Sequence, residues 1–227
     1  MWAVAKKDFK TLFFSPIGYI VVSIFLIVFG VIMYLLTISN RSIDFNIAYN
    51  SMAWYGLPIV ISVLTMRSFS EERNRDTEKL LFSSSKGTIS IISGKILAVI
   101  MVIGISIILS LLYCLLFAQF GNINFKLLLW TICGFILLSI AYASFGVLIS
   151  SLTESQVISA IITLVFLLLP IFFSYGNGVF SYLSLIDFFE KFSLGIISIK
   201  SIVVLITFSI ACILLTNFEI QRKRKLD

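Results

Sequence analysis

The sequence predicts an all-α integral membrane protein with six transmembrane helices, and its composition and apolar patterning carry this prediction. Of the 227 residues, 59% are hydrophobic and only 12% are charged, and the mean hydropathy is +1.10. Soluble domains keep about a quarter of their residues charged, so most of this surface faces something other than water. The apolar residues also form runs of about 20, the length that an α-helix needs to cross the hydrocarbon.

Six apolar runs are the candidate membrane crossings. In chain order they cover residues 17–38, 52–66, 96–117, 127–152, 155–175 and 202–218. The second run is short and is interrupted by Gly56 and Pro58, but proline is tolerated in membrane helices when neighbouring groups satisfy the freed carbonyls. We therefore predict one helical transmembrane domain over residues 1–227.

The first 14 residues predict a helix that lies along the membrane surface. Its apolar face consists of Trp2, Ala5, Phe9, Leu12 and Phe13, and the bases that lie off this face are Lys6, Lys7 and Lys10. Such a helix lies in the headgroup layer with its lysines toward anionic lipid. Ser15 and Pro16 then favour a new helix start, as N-cap and first helical residue. The alternative is a disordered basic leader.

The distribution of lysine and arginine predicts that both termini face the cytoplasm. With that orientation 13 of the 17 basic residues lie on the inner side, and the 4 on the outer side are Arg41, Lys126, Lys191 and Lys200. Cytoplasmic loops of membrane proteins carry such an excess. The basic tail at residues 222–225 is then an anchor near anionic lipid, and no nucleic-acid partner is expected.

The runs lack the groups that catalysis or ion coupling would need. As drawn, they contain no Asp, Glu, Lys, Arg or His, the usual marks of proton relays within membranes. Cys114, Cys133 and Cys212 are scattered without the spacing of a zinc site or a disulfide framework. No P-loop pattern occurs, so the chain has no ATP site of that kind. We predict a non-enzymatic chain without a cofactor or metal of its own, whose energy arrives through a partner.

The inner loop at residues 67–95 is where such a partner could dock. Glu71 and Arg75 are four residues apart, which gives partial support for a helix. An apolar group follows at residues 80–82. Either another protein covers these apolar residues or they lie back on the bilayer surface, and periodicity alone leaves both open.

Four parts of the chain carry a resemblance to a known family. They are Lys6-Lys7-Asp8-Phe9 with Ser15-Pro16-Ile17-Gly18-Tyr19; residues 66–84 with Glu71-Glu72-Arg73, Thr77 and Leu80-Leu81-Phe82-Ser83-Ser84; Gly94-Lys95; and residues 150–156. Together they resemble the permease subunits of type 2 ATP-binding-cassette (ABC) exporters, in particular the gliding-motility and copper-maturation-like branch. The likeness runs nearly from end to end. The chain departs from the family pattern at Asp76, Lys79 and Ser85.

The resemblance implies an ABC transporter permease in a bacterial plasma membrane, which exports a substrate while a separate subunit hydrolyses ATP. Two permease chains, identical or paralogous, would lie above two ABC ATPase subunits that bind ATP and Mg²⁺. A cytoplasmic coupling helix between the second and third crossings would insert into a groove on the ATPase. Its implied coupling residues are Glu71, Glu72 and Arg73 for charge pairs, Thr77, and the apolar anchor Leu80, Leu81 and Phe82. The competing interpretation is a non-transporting membrane scaffold or a passive channel.

The outer loop at residues 176–200 has an amphipathic pattern of its own. Leu183, Ile186, Phe189 and Phe192 recur at three-residue steps, with charged residues between them. The resemblance implies a short re-entrant helix that caps the transport pathway. The alternative is an amphipathic helix that lies on the surface.

Overall fold

The described part of the chain is built from helices joined by short links. The computed structural model describes residues 1–40, 44–74, 87–117, 124–174, 185–196 and 198–226, and these ranges contain no strand. The helices are α1 (Trp2–Phe13), α2 (Pro16–Asn40), α3 (Phe45–Ser51), a π-helical turn (Met52–Gly56), α4 (Leu57–Thr65), α5 (Ser70–Asn74), α6 (Thr88–Phe117), α7 (Phe125–Leu152), α8 (Gln156–Ser174), α9 (Leu185–Ser193) and α10 (Ile199–Leu226). The prediction of an all-α fold is confirmed for these residues.

Five helical stretches within the described ranges are long and apolar enough to cross a membrane. They are Pro16–Leu36, Phe45–Arg73, Thr88–Tyr113, Phe125–Leu152 and Ile199–Arg222, and each overlaps one predicted run. The remaining run, residues 155–175, forms α8, whose apolar part Gln156–Pro170 is shorter than those five. Length and composition therefore support five crossings. A sixth crossing along α8 stays a prediction, as does the orientation of the bundle.

The second crossing is longer than its apolar run predicts. It begins at Phe45 instead of residue 52 and continues to Arg73. The sequence obscures this start because α3 contains polar residues, yet two of them are paired inside the bundle, where a satisfied polar group costs little. Asn46 Oδ1 accepts a hydrogen bond from Thr131 Oγ1 at 3.1 Å, and Tyr49 Oη lies 2.7 Å from Ser110 Oγ.

The interruption expected at Gly56 and Pro58 does not end the second crossing. Met52–Gly56 forms the π-helical turn, and Pro58 lies in the first turn of α4. Proline is tolerated in a first turn because its fixed φ suits the helix and its missing N–H matters least there. The helical path therefore continues past both residues.

A chain of aromatic rings joins four elements inside the bundle. Ring centroids lie 5.0 Å apart for Phe29 and Tyr49, 5.5 Å for Tyr49 and Phe135, and 6.0 Å for Phe135 and Phe189. These rings come from α2, α3, α7 and α9, and all four are fully buried. Tilted and edge-on pairs of this kind add about 0.5–1.5 kcal/mol each beyond the area that they bury. Helix α9 is therefore packed into the bundle.

Helix α7 is the element around which the others pack. Its residues 141–147 are all buried, and it contacts α4, α6, α8, α9 and α10. A Cβ on Gly146 would collide with Thr65 of α4, and a Cβ on Gly134 would come within 2.7 Å of Phe192 of α9. Membrane helices approach through such small residues because close packing, rather than apolar burial, drives their association.

Helix α1 packs along α6. Val4 and Ala5 are buried, and a Cβ on Gly94 would come within 3.0 Å of Val4 Cβ. Trp2 belongs to the predicted apolar face but is 69% exposed. Other members of that face pack against the core, namely Phe9, Leu12 and Phe13. The apolar face of α1 is therefore divided between contacts with protein and an exposed end, and its place in the headgroup layer stays a prediction.

Candidate functional site

The predicted coupling residues lie on or just after α5, at the end of the second crossing. Glu71, Glu72 and Arg73 are on this helix. Thr77, Leu80, Leu81 and Phe82 lie outside the described residues, so their roles stay predictions. The two acids occupy the first turn of α5 and Arg73 its last turn, the arrangement that complements a helix dipole. The three described residues of the predicted site are therefore helical.

Ser150 binds the start of α5 to the carboxyl end of α7. Its hydroxyl accepts hydrogen bonds from the backbone N–H groups of Phe69 at 3.0 Å and Ser70 at 3.3 Å. The first N–H groups of a helix have no partner within that helix, so a side-chain acceptor there removes an unsatisfied group. This contact joins two segments that are 80 residues apart in the chain.

Arg73 makes a second attachment between the same helices. Its guanidinium donates to the carbonyl of Thr153 at 3.2 Å and to the carbonyl of Ser151 at 3.1 Å. Carbonyls at the end of a helix lack intrahelical partners, and a cation there also meets the negative end of the helix dipole. Two of the parts that carry the family resemblance, residues 66–84 and 150–156, therefore meet at α5.

Glu72 reaches the opposite side, toward α6 and α1. Its Oε2 lies 2.9 Å from Lys95 Nζ, and the same ammonium lies 3.6 Å from Asp8 Oδ2. Lys95 is only 3% exposed, donates to the Ser68 carbonyl, and lies 4.7 Å from the centre of the Phe69 ring. One ammonium therefore connects α1, α6 and α5 with the turn before it. We call this cluster of Asp8, Glu72 and Lys95 the ionic junction.

The ionic junction is costly to break at Lys95, the cation that faces both carboxylates. Removing one member of a buried ion pair typically costs about 3–5 kcal/mol because the other charge is left uncompensated. The carbonyl of Ser68 and the face of the Phe69 ring provide further favourable contacts for the ammonium. The fold therefore strongly favours a cation at position 95, between the carboxylates of α1 and α5.

An open cavity of about 560 Å³ lies between α1 and the start of α5. Besides the ionic junction, its charged and hydroxyl lining consists of Lys7, Lys10, Thr11, Ser15, Arg67, Ser68 and Glu71. Arg67 and Glu71 are 4.0 Å apart and both partly exposed, so this pair contributes little to stability. The cavity leaves space beside α5 on the side that faces α1.

At the other end of the second crossing, polar contacts hold α9. Trp54 Nε1 donates to Glu190 Oε1 at 3.0 Å, and Ser193 Oγ donates to the Asn46 carbonyl at 3.0 Å. Of the predicted apolar repeat, Ile186, Phe189 and Phe192 are buried, and Leu183 lies outside the described residues. The helix therefore has an apolar face inside the bundle and a polar contact to the second crossing. Its re-entrance into the membrane stays a prediction.

Sequence reasoning identified Glu72 but missed its partners. Asp8 and Lys95 enter the sequence argument only as parts of the resemblance, and Lys95 falls one residue before the predicted third crossing. In the structure α6 begins at Thr88, so Lys95 lies inside the helix. An ionisable residue at the edge of an apolar run was the available signal, since such residues within membrane helices are usually paired and functional.

The chemistry of this site is attachment between elements. Among the described residues, no group of three or more His, Cys, Asp or Glu side chains is placed to hold a metal ion. The charged groups pair with one another, and the hydrogen bonds fix helix ends. The arrangement thus attaches α5 to α1, α6 and the carboxyl end of α7.

A comparison with known protein families finds a match over most of the chain. Residues 39–218 match the family model described as ABC-2 family transporter protein. The match includes the second crossing, α5, Lys95, the carboxyl end of α7 and α9. A search of curated proteins finds no match. Because the family match covers well over half of the chain, this protein belongs to the ABC-2 family of transporter membrane proteins.

Proposed function

We propose that this chain is the membrane-spanning permease subunit of an ABC transporter, which exports a substrate while a separate subunit hydrolyses ATP. The attachment of α5 to both α6 and α7, through Lys95 on one side and Ser150 on the other, carries the proposal. Residues 75–86, where the partner is expected to dock, follow α5 directly. A displacement of that segment would alter contacts with two crossings at once.

The proposed docking segment would combine an apolar anchor with a charged rim. Leu80, Leu81 and Phe82 would fill a groove on the ATPase, since binding energy concentrates in a few buried apolar residues, and Thr77 would lie between anchor and rim. Glu71, Glu72 and Arg73 all have contacts within the chain. Of the two acids, Glu71 has the more exposed side chain, at 26% against 15%. Glu71 is therefore the stronger candidate for a charge pair with the ATPase.

The complete transporter would contain two permease chains and two ATPase subunits, with ATP and Mg²⁺ bound by the ATPases. Large apolar side chains are exposed along α2, α8 and α10, for example Ile27, Val165 and Phe218. In the proposed assembly they face lipid or the second permease chain. Both termini would lie in the cytoplasm of a bacterium, and the family branch would be the gliding-motility and copper-maturation-like one.

Capture of the ATPase tests the docking segment. Tagged protein purified from its native membrane in a mild detergent should retain a soluble P-loop ATPase. Leu81→Asp places a charge in the apolar anchor and should reduce capture by roughly tenfold or more, as expected for a hot-spot residue. Leu194→Asp is the matched control, because Leu194 is 72% exposed and lies outside the segment. Equal capture by both variants would contradict docking at residues 75–86.

Reconstitution distinguishes an exporter from a scaffold or a passive channel. In liposomes that contain the captured complex, the permease should alter the ATP hydrolysis rate, and substrate movement should require ATP. An ATP hydrolysis rate that is the same with and without the permease would favour a scaffold. Movement without ATP would favour a channel.

A further inference from the structure

The geometry points to Lys95 as a positioning residue that changes its carboxylate partner when α5 moves. In the position of α5 that the structure shows, Glu72 is the direct partner of the Lys95 ammonium. When α5 is displaced from the bundle, Asp8 of α1 becomes the direct partner. This inference rests on the proposed function, because it needs a partner that moves α5. It gives α1 a role in coupling, as the element that keeps the buried lysine paired throughout.

The two carboxylates stand at unequal distances from Lys95. Glu72 Oε2 is 2.9 Å from Nζ, which is a direct ion pair, whereas Asp8 Oδ2 is 3.6 Å away. Moving the ammonium by about 0.7 Å, the difference between these distances, would give Asp8 the direct contact. A lysine side chain is flexible enough to make that movement without any shift of the backbone. A second acceptor is therefore already in place.

The two acceptors belong to elements that are held in different ways. α5 is 5 residues long, directly precedes the proposed docking segment and borders the open cavity. α1 is 12 residues long and packs along α6, the helix that carries Lys95, through the close approach of Val4 to Gly94. A pull on α5 would therefore move Glu72 away from Lys95 and leave Asp8 beside it.

The second acceptor matters because Lys95 is only 3% exposed. With a single carboxylate, displacement of α5 would leave a buried ammonium without a counter-charge, which is strongly unfavourable. With Asp8 within reach, the ammonium is paired in both positions of α5. The two positions then lie closer in free energy, so a partner with modest differential affinity can shift the equilibrium between them.

Neutralising one carboxylate at a time tests the exchange, because the two changes should act in opposite directions. Glu72→Gln weakens the docked position of α5, so the reconstituted complex should hydrolyse ATP roughly fivefold faster without added substrate. Asp8→Asn weakens the displaced position, so the permease-stimulated hydrolysis rate should fall roughly fivefold. Rates are expressed per captured complex, so that a lower folded yield does not alter the comparison.

Two further variants separate this role from a structural one. Lys6→Gln neutralises an exposed charge on the same helix and should leave both rates unchanged. The double variant Asp8→Asn with Glu72→Gln strands the ammonium and should reduce the folded yield. Adding Lys95→Met should restore the yield but not the wild-type response to nucleotide.

Rates that move in the same direction in Asp8→Asn and Glu72→Gln would overturn the exchange. The same holds if Asp8→Asn behaves like Lys6→Gln. These outcomes leave the permease function intact, because the complex still forms and hydrolyses ATP. If wild-type protein captures no ATPase at all, the proposed function itself is contradicted.

Discussion

At the residue scale, Ser150 shows how one side chain can attach two distant parts of the chain. Its hydroxyl serves two backbone N–H groups at the start of α5, and the three residues involved are fully buried. A buried donor that loses its acceptor pays the full cost of desolvation. A single hydroxyl therefore matters more here than one that bonds within its own helix.

We expect Ser150→Ala to destabilise the protein by about 1–3 kcal/mol, because it leaves the N–H groups of Phe69 and Ser70 without that acceptor. Thermal unfolding in detergent and hydrogen exchange over residues 69–73 measure the effect. Ser139→Ala is the control, since its buried hydroxyl donates to the Phe135 carbonyl one turn earlier in the same helix. Equal losses in both variants would show that the attachment adds nothing.

The charged residues of α5 could be predicted from the sequence, but their contacts could not. Glu71, Glu72 and Arg73 stand out because they lie together in an otherwise apolar chain. Lys95 is separated from Asp8 by the end of α1, the first two crossings and the inner loop, and no local periodicity brings the two together. The ionic junction depends on tertiary packing, so it required the structure.

At the scale of elements, the close contact between α1 and α6 depends on Gly94 of α6, which has no side chain. A Cβ on Gly94 would meet Val4 Cβ at 3.0 Å and the Met1 carbonyl oxygen at 3.1 Å. Around Gly104 of the same helix, nothing lies within 4 Å of a Cβ position. The two glycines of α6 thus differ in surroundings, although both lie within one helix.

We therefore expect Gly94→Leu to push α1 away from α6 and Gly104→Leu to be tolerated. Overpacking of this kind typically costs about 1–3 kcal/mol. Hydrogen exchange over residues 2–13 should rise in the first variant and stay at the wild-type level in the second. An unchanged α1 in Gly94→Leu would contradict the tight contact.

The boundaries of elements were less predictable than their existence. The start of the second crossing could not be predicted because Asn46 and Tyr49 are polar residues. Their partners inside the bundle, Thr131 and Ser110, are far away in the sequence. The hydropathy of the segment itself therefore does not contain the information that decides where this crossing begins.

At the scale of the whole molecule, the contacts at the two ends of the second crossing have different character. One end carries the ionic junction and the attachment of α5, and the other holds α9 through Trp54 and Glu190. The distribution of basic residues predicts that the first end faces the cytoplasm. The all-α membrane fold followed from composition alone, whereas the orientation rests on this charge distribution.

Cysteine labelling measures the orientation. In a background without Cys114, Cys133 and Cys212, Leu194→Cys should react with a membrane-impermeant maleimide on intact cells, because residue 194 is exposed in the outer loop. Lys10→Cys should react only after the cells are opened. Labelling of position 10 on intact cells would reverse the predicted topology.

Because the π-helical turn Met52–Gly56 joins α3 to α4, the packing of α3 depends on the number of residues in the second crossing as well as on their composition. Each residue of a regular α-helix advances the chain by about 100°. Deleting one residue in this turn would therefore rotate α3 against α4 by about that angle. Tyr49 would then leave the aromatic chain, although every apolar residue could be retained. Relatives of this chain should accordingly tolerate substitution within the turn more readily than insertion or deletion.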